Sequence, residues 1–359
     1  MKKLSKRSFK SKLKAHIKWL SSCGESGQKM VLESCDVVGV DMDEILHKEL
    51  GKCEGIRGVE MRNCGFRNCH MSFVRFADSV FTGSLFDQCF MDNCEFTHCE
   101  MDSVYFYETY MGSLTLKDDN LDNSRFHEVN ADRMFVDTCS MSKCELYRAD
   151  FNNSQFYNVR ASGAHIQYSN MSYSYMNYVD FYNSCFVLSS FINSRLMHCV
   201  MSKSLFSEVD LTKAVLSSDM CDANLVSTKL FAADLSLCGN IDKVSADSNT
   251  QFFEPSCPME GEFIGWKKVL NKLVKLRIPE DAKRSSATTY KCRCEFADVL
   301  DIIDMCDGTH LDFVINDSYA QTTYKTGSRV YPDGFDENRW KECGHGIHFF
   351  VSRAHAEKY

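Results

Sequence analysis

Proline is nearly absent from this sequence, and the place where it is missing is informative. None occurs before position 255. Proline has no backbone N–H and is confined in sheets to edges and bulges. Its absence therefore indicates a long stretch of continuously hydrogen-bonded backbone and excludes a proline-rich linker there. The prolines that do occur are Pro255, Pro258, Pro279 and Pro332.

Long hydrophobic runs are missing as well. No apolar stretch approaches the ~18 residues of a membrane-spanning helix, and no signal-peptide pattern is present. The chain has 19 cysteines, an odd number, and their spacing follows an internal repeat instead of a disulfide framework. We therefore expect a cytoplasmic protein with reduced thiols, in the host cytoplasm if the source is viral.

A repeat of five residues fills most of the remaining chain. A bulky apolar residue, here called the centre, recurs at every fifth position from Met61 to Leu216. After one four-residue step the series resumes from Met220 to Leu235. The residue two places before each centre is almost always small. Five matches neither the helical period of 3.6 nor the strand period of 2.0, so the pattern predicts a repeat architecture.

Four units of five residues close one square coil, and successive coils then stack by β-type hydrogen bonds. Residues four units apart should lie above one another as apolar ladders inside the column. Leu114, Asp119 and Met134 break the small-residue rule, which predicts a bulge or loop near residues 112–135. One predicted ladder is Phe66, Phe86, Phe106, Phe126, Leu146, Ile166, Phe186 and Phe206; the next is Met71, Met91, Met111, Ala131, Phe151, Met171, Phe191 and Leu211.

This pattern resembles the pentapeptide repeat family, whose unit is written Ala-(Asp/Asn)-Leu-x-x. Ala223-Asn224-Leu225 and Ala233-Asp234-Leu235 match the unit literally. The resemblance covers about half of the chain. It implies an all-β solenoid, a right-handed quadrilateral β-helix.

Four parts follow from these patterns. Residues 1–29 form a basic helical cap, and residues 30–240 form the β-helix, with an interruption over 43–55. Residues 241–259 form a linker. The five-residue phase is then lost, and residues 260–359 form a small α+β domain.

The basic N-terminus has two interpretations. Phe9, Leu13, Ile17 and Leu20 follow helical spacing, and the segment has no acidic residue before Glu25. One interpretation is a membrane-surface or nucleic-acid arm. The other, which we favour, is a helix that covers the open end of the solenoid.

The C-terminal part resembles an uncharacterised domain that follows pentapeptide repeats in some viral and bacterial proteins. That resemblance implies a viral or phage origin and lends no mechanism. It rests on Gly265-Trp266-Lys267, Ile278-Pro279, Ala282-Lys283-Arg284, Lys291-Cys292-Arg293, Tyr324-Lys325, Gly327, Cys343 and Gly346-Ile347-His348-Phe349-Phe350.

Charge and tyrosine are unevenly distributed along the repeats. Residues 76–137 carry thirteen acidic residues against three basic ones, whereas the whole chain has a formal charge of −8. Residues 151–182 carry few charges but six tyrosines, which predicts a tyrosine-rich surface for a protein contact. Tyr168, Tyr173 and Tyr178 hold the same outward position in consecutive units, so we expect them on successive faces or corners. The candidate interaction residues are Asp87, Asp92, Glu95, Glu100 and Asp102 in this acidic belt, and Tyr157, Tyr168, Tyr173, Tyr175, Tyr178 and Tyr182.

No catalytic motif stands out. P-loop, dinucleotide and metalloprotease signatures are absent. In the C-terminal domain Cys292, Cys294, Cys343, His345 and His348 have the ligand types of zinc but the wrong separations, so we expect no metal and no cofactor. A nucleophilic pair of Cys292 or Cys343 with His348 is the enzymatic alternative.

These observations predict a non-enzymatic binding or scaffold protein. We expect a protein partner or self-association, no direct nucleic-acid binding and no membrane span. The family resemblance adds a second hypothesis, since some of its members resemble DNA and occupy a topoisomerase or another DNA-binding enzyme. An acidic belt on a rod presents charge in the way that DNA does.

Overall fold

The computed structural model describes residues 1–50, 55–316 and 321–359. The chain forms two compact units. The first unit comprises residues 1–228 and 238–249, and the second comprises residues 229–237 and 250–359. Of the interruption predicted over residues 43–55, residues 51–54 lie outside the described part, and Met42–Leu50 is a helix.

The predicted N-terminal helix spans Lys6–Ser21, and its N-cap is Ser5, whose hydroxyl accepts the N–H of Ser8. Phe9 and Leu13 are buried as expected, but the third buried residue is His16. The backbone N–H of Met30 donates to Nδ1 of His16 at 3.1 Å. Nε2 therefore carries the proton and faces the carbonyl of Arg57 at 3.0 Å. A short strand, Lys2–Leu4, precedes the helix.

The first unit is a square parallel β-helix, as predicted. We name its four faces by their centres: the first contains Phe66, the second Met71, the third Phe76 and the fourth Phe81. On the first face the described residues form a parallel sheet of twelve strands. In spatial order these strands are Lys2–Leu4, Cys35–Val38, Gly65–Arg67, Leu85–Asp87, Tyr105–Tyr107, Arg125–His127, Glu145–Tyr147, His165–Gln167, Cys185–Val187, Leu205–Ser207, Asn224–Val226 and Ser245–Ala246.

The third face carries a second parallel sheet. The second and fourth faces are joined by single bridges between equivalent residues of successive coils, such as His70 to Phe90 and Val80 to Glu100. Val31–Glu33 pairs separately with Glu60–Arg62. The strands of the third face are Ile56–Arg57, Arg75–Ala77, Glu95–Thr97, Thr115–Lys117, Phe135–Asp137, Gln155–Tyr157, Tyr175–Asn177, Arg195–Val200 and Val215–Asp219.

The predicted ladders fill the column. Phe86 pairs in register with Phe106, and Phe106 with Phe126. Their rings stack with centroids 5.2 and 5.0 Å apart and nearly parallel planes. The centres of the second ladder are likewise buried. Stacked rings at the strand spacing give the column a dry aromatic core.

Each turn of the square is made by a left-handed residue two places after the centre. Asn68, Phe73 and Asp78 have φ of 49°, 63° and 47°, and the pattern continues along the repeats. Outside glycine this conformation costs roughly 1 kcal/mol or more per residue. The corner is thus set by the closed coil and not by the local sequence.

The bulge predicted near residues 112–135 is wrong. Thr115–Lys117 and Phe135–Asp137 pair in register, and Leu114 and Met134 are buried without displacing the ladder. The register instead shifts between Met197 and Cys199, opposite Val215–Asp219. That position coincides with the four-residue step of the sequence, because the shorter coil leaves one residue of its neighbour unmatched.

Asp119 replaces a small residue and is itself buried at 2% exposure. Its Oδ1 accepts the N–H of Cys99 at 2.7 Å, and its Oδ2 accepts the N–H of Lys117 at 3.0 Å. Burial raises the pKa of Asp119 to about 7, although the two N–H groups act in the opposite direction. Serine makes the corresponding contact elsewhere, as when Ser124 accepts the N–H of Val104.

The second unit is built on an antiparallel sheet, with one short helix, Arg353–Lys358, and one separate hairpin, Phe313–Asn316 with Thr322–Lys325. The core of this unit includes Val274, Leu276 and Phe349. Among the described residues the sheet has seven strands, in the order Arg284–Ser286, Lys291–Cys294, Ile347–Phe350, Phe263–Val269, Lys272–Ile278, Ala297–Asp304 and Arg329–Val330.

Truncation of a stacked ring tests the aromatic ladder. We expect Phe106→Ala to lower the free energy of unfolding by about 3–5 kcal/mol, because it removes a ring held between two others and leaves a cavity. Thr115→Ala, at an outward position, is the control and should change it by less than about 1 kcal/mol. Chemical denaturation measures both, and equal effects would contradict the ladder.

A pH series tests Asp119. Its folded pKa lies above the unfolded value of about 3.9, so between these pH values the folded state holds a proton that the unfolded state has lost. Stability relative to Asp119→Ser should therefore be highest below pH ~4 and fall by up to about 4 kcal/mol as the pH rises to ~7. Denaturation of both proteins from pH 4 to 8 measures this, and parallel curves would refute it.

Candidate functional site

The inward hydroxyls and thiols of the first unit have structural roles. Ser84 donates to the carbonyl of Met61 and accepts the N–H of Cys64. Cys144 donates to the carbonyl of Leu121, and burial raises its pKa to about 12. A thiol held in this way is inert. All described cysteines are free thiols.

The five candidate acids of the acidic belt each have a partner one coil away. Asp87 and Glu95 pair with arginines, at 2.8 Å from Arg67 and 3.3 Å from Arg75. The other three accept hydrogen bonds from neutral groups. Asp92 accepts the N–H of Gly112, Glu100 the amide of Asn120, and Asp102 the hydroxyl of Thr82.

These five acids are distributed over all four faces. Asp87 lies on the first face, Asp92 on the second and Glu95 on the third; Glu100 and Asp102 lie on the fourth. The acidic belt therefore encircles the column. Arginines that precede it in the sequence neutralise part of its charge, because stacking brings together residues one coil apart.

The six tyrosines do not share one face: three of them occupy successive corners, as their five-residue spacing predicts. Tyr168, Tyr173 and Tyr178 are exposed left-handed corner residues of three successive corners, with φ of 52°, 58° and 56°. Tyr157 and Tyr175 lie on the third face, with ring centroids 5.6 Å apart. The tyrosines thus surround the column, since a five-residue step moves each one to the next corner. Tyr182 lies on the fourth face and contacts Lys203 through its ring.

A continuous set of rings does lie along the first face and its edge. Tyr105, His127, Tyr147 and Tyr168 form what we call the aromatic strip. Successive centroids are 5.0, 5.7 and 5.5 Å apart. The hydroxyl of Tyr105 is 3.0 Å from Nδ1 of His127, and burial lowers the pKa of that histidine. The rings recur about one coil apart in the sequence, a signal that becomes visible once the coil length is known.

Two grooves adjoin the aromatic strip. One, of about 250 Å³, is lined by His127, Tyr147 and His165. The other, of about 670 Å³, contains Glu145 and Lys143 and opens where Gly163 has no side chain. The first face therefore combines aromatic surface, charge of both signs and concave relief.

The C-terminal residues predicted as an alternative Cys/His site each contact different partners and do not contact one another through hydrogen bonds among the described residues. Cys292 is buried on its strand opposite Phe349, and a hydrogen bond with the neighbouring thiol Cys257, together with burial, raises its pKa. The ring of His348 faces the carbonyl of Gly344 through Nε2 at 2.9 Å, and burial lowers its pKa to about 4. Among the described contacts, no hydrogen bond joins His348 to Cys292 or to Cys343.

Cys343 has a different neighbour, which the sequence analysis missed. It is exposed, and its sulfur accepts a hydrogen bond from Nζ of Lys291 at 3.5 Å. The two positions are far apart in the sequence, so no local motif shows the pair. In the described part of the chain, no group of three or more histidine, cysteine, aspartate or glutamate side chains is arranged to hold a metal ion.

Faces of five residues, coils of four faces and parallel stacking of successive coils define the first unit as a pentapeptide-repeat β-helix. Residues 253–356 match the model of a family of unknown function, DUF5758. No curated protein matches the chain significantly. In the described residues, no helix is long and apolar enough to cross a membrane.

Solved structures with the same kind of repeat are similar only at low identity. HetL, a pentapeptide repeat protein involved in heterocyst differentiation regulation from the cyanobacterium Nostoc sp. strain PCC 7120, is 12% identical. The match covers 58% of this chain and 98% of HetL, with a TM-score of 0.35. QnrB1, a plasmid-mediated fluoroquinolone resistance protein, is 16% identical; the match covers 62% of this chain and 93% of QnrB1, with a TM-score of 0.28. Rfr23, a pentapeptide repeat protein of the cyanobacterium Cyanothece 51142, is 15% identical; the match covers 34% of this chain and 86% of Rfr23, with a TM-score of 0.20. A viral origin and a cytoplasmic location stay predictions.

Proposed function

We propose that the protein is a non-enzymatic binding module whose partner docks on the first face, along the aromatic strip. The observation that supports this is the continuous run of Tyr105, His127, Tyr147 and Tyr168 on a sheet of stacked strands. Tyrosine is enriched among the residues that carry most binding energy at interfaces. Binding through such aromatic residues requires neither an activated nucleophile nor a cofactor.

Rigidity favours the same proposal. The strands beneath the aromatic strip pair in register on both sides, so the backbone that carries His127 and Tyr147 is fixed before a partner arrives. A preformed surface loses little side-chain entropy on binding. The ion pair of Arg125 with Glu145, at 3.1 Å beside the strip, supplies polar contacts at its edge. Hydrophobic contact with a polar rim is the usual anatomy of an interface.

A DNA-mimic inhibitor is the second candidate function. The excess of acidic residues over 76–137 favours it. The partners found for the five acids weaken it, since Arg67 and Arg75 neutralise two of them. The five acids are spread over all four faces, so a basic channel that binds DNA would find no single acidic strip to contact on this column. The Cys/His enzyme hypothesis has no supporting contact.

Two corner tyrosines provide a matched test of the aromatic strip. Tyr168 and Tyr173 are both exposed left-handed corner residues, at 51% and 59%, but only Tyr168 belongs to the strip. The double variant Tyr147→Ala, Tyr168→Ala should lower the affinity for a captured partner at least about tenfold, whereas Tyr173→Ala should leave that affinity unchanged. Affinity capture followed by titration measures this. Equal affinities for all variants would overturn the proposal.

A charge series distinguishes the second candidate. Asp87→Asn, Asp92→Asn, Glu95→Gln and Glu100→Gln together should abolish binding to a DNA-binding enzyme if the protein mimics DNA, and that complex should dissociate at high salt. Four exposed glutamates of the second unit, changed to glutamine, give a control with the same loss of charge. Retained binding by the belt variant would eliminate mimicry. The control positions are Glu254, Glu260, Glu262 and Glu280.

A further inference from the structure

The second unit contains a nucleophile and a buried cation in direct contact. Cys343 lines a cavity of about 550 Å³ together with Thr289, Lys341, Glu342 and His345. The ammonium that donates to its sulfur belongs to Lys291, whose side chain is only 8% exposed. A charged amine is expensive to bury. The groups that contact this amine, among them the sulfur of Cys343, therefore have to compensate for its lost hydration.

Glu342 completes the cluster. Its Oε1 lies 3.6 Å from Nζ of Lys291 and accepts the hydroxyl of Thr289 at 2.5 Å. Its Oε2 is buried and, among the described residues, has no hydrogen-bond partner. Lys291 thus stands between one carboxylate and one sulfur. Burial alone would lower the pKa of Lys291, but its acidic neighbours outweigh burial and raise it, so the amine stays charged.

A buried guanidinium holds the segment that carries Cys343. Arg293 is 2% exposed and donates to the carbonyls of Asp336, Asn338 and Lys341. Three main-chain bonds from one rigid group fix the loop that precedes the cysteine. The sulfur is therefore presented to solvent from a fixed position. Fixed geometry is what a reactive side chain requires.

We propose that Cys343 is a reactive thiol that forms mixed disulfides with small soluble disulfides, and that Lys291 stabilises its thiolate. The thiol proton passes to solvent, and the thiolate attacks one sulfur of the small disulfide. The Sγ–S bond forms as the S–S bond of the reagent breaks. The leaving thiolate departs with the electron pair and takes a proton from solvent. The sulfur of Cys343 is oxidised and the departing sulfur is reduced.

Cys23 and Cys306, which are also exposed in the described part of the chain, are internal controls. The full chain is treated with glutathione disulfide at pH 7, quenched with acid and digested, and each cysteine peptide is quantified by mass spectrometry. Cys343 should react about tenfold faster than either control, because Nζ of Lys291 donates to its sulfur and the controls have no such contact with a buried ammonium among the described contacts. A rate equal to or below that of the controls would overturn the proposal.

Variants at Lys291 and Glu342 should move the rate in opposite directions. Lys291→Met should reduce the rate at Cys343 to that of the controls, whereas Glu342→Gln should raise it, because the ammonium then serves the sulfur alone. Cys23 and Cys306 should be unaffected. Modification of Cys294, which is fully buried, would report unfolding of a variant. If Lys291→Met unfolds, Glu342→Gln decides: an unchanged or lower rate there contradicts the proposal.

Discussion

Parallel stacking of equal coils is the constraint on which the rest of the first unit depends. Backbone N–H groups of one coil donate to carbonyls of the coils on both sides of it, as from Leu85 back to Cys64 at 2.8 Å and from Met71 forward to Phe90 at 2.7 Å. In-register pairing needs coils of equal length, which in turn requires a bulky centre and a small residue at regular places; where one coil is shorter, the register shifts between Met197 and Cys199. The pairing also explains why proline is absent, because few N–H groups are left free.

The period predicted the ladders because five residues per unit fits no helix and no ordinary strand. The corners were not predictable from residue type. Arginine at 133, lysine at 143 and tyrosine at 173 all adopt the left-handed conformation, which single residues of these types disfavour. The closed coil imposes that conformation, and its cost is offset by the ladders around it. The same tolerance explains why Leu114 and Met134 caused no bulge.

The candidate surfaces depend on neighbours that are distant in sequence by one coil. In the sequence, charges were counted over consecutive residues, whereas in the folded column charged residues pair between neighbouring coils. Arg67 and Asp87, for example, form an ion pair. In the same way the ring of Tyr147 contacts those of His127 and Tyr168, which lie about one coil away in the sequence. Once the coil length is known, these pairs can be predicted, because paired residues lie about one coil apart in the sequence. In the second unit no period exists, and Lys291 reaches Cys343 only through folding.

The two units place their polar groups in different ways, and this separates what each can do. In the first unit several outward charges pair with a neighbouring coil, as Arg67 does with Asp87, and inward hydroxyls such as that of Ser84 bond to backbone carbonyls. In the second unit buried charges such as Arg293 hold irregular backbone by carbonyl contacts. A buried charge is retained only where its hydrogen bonds compensate for lost hydration. Recognition therefore fits the first unit, and thiol chemistry fits the second.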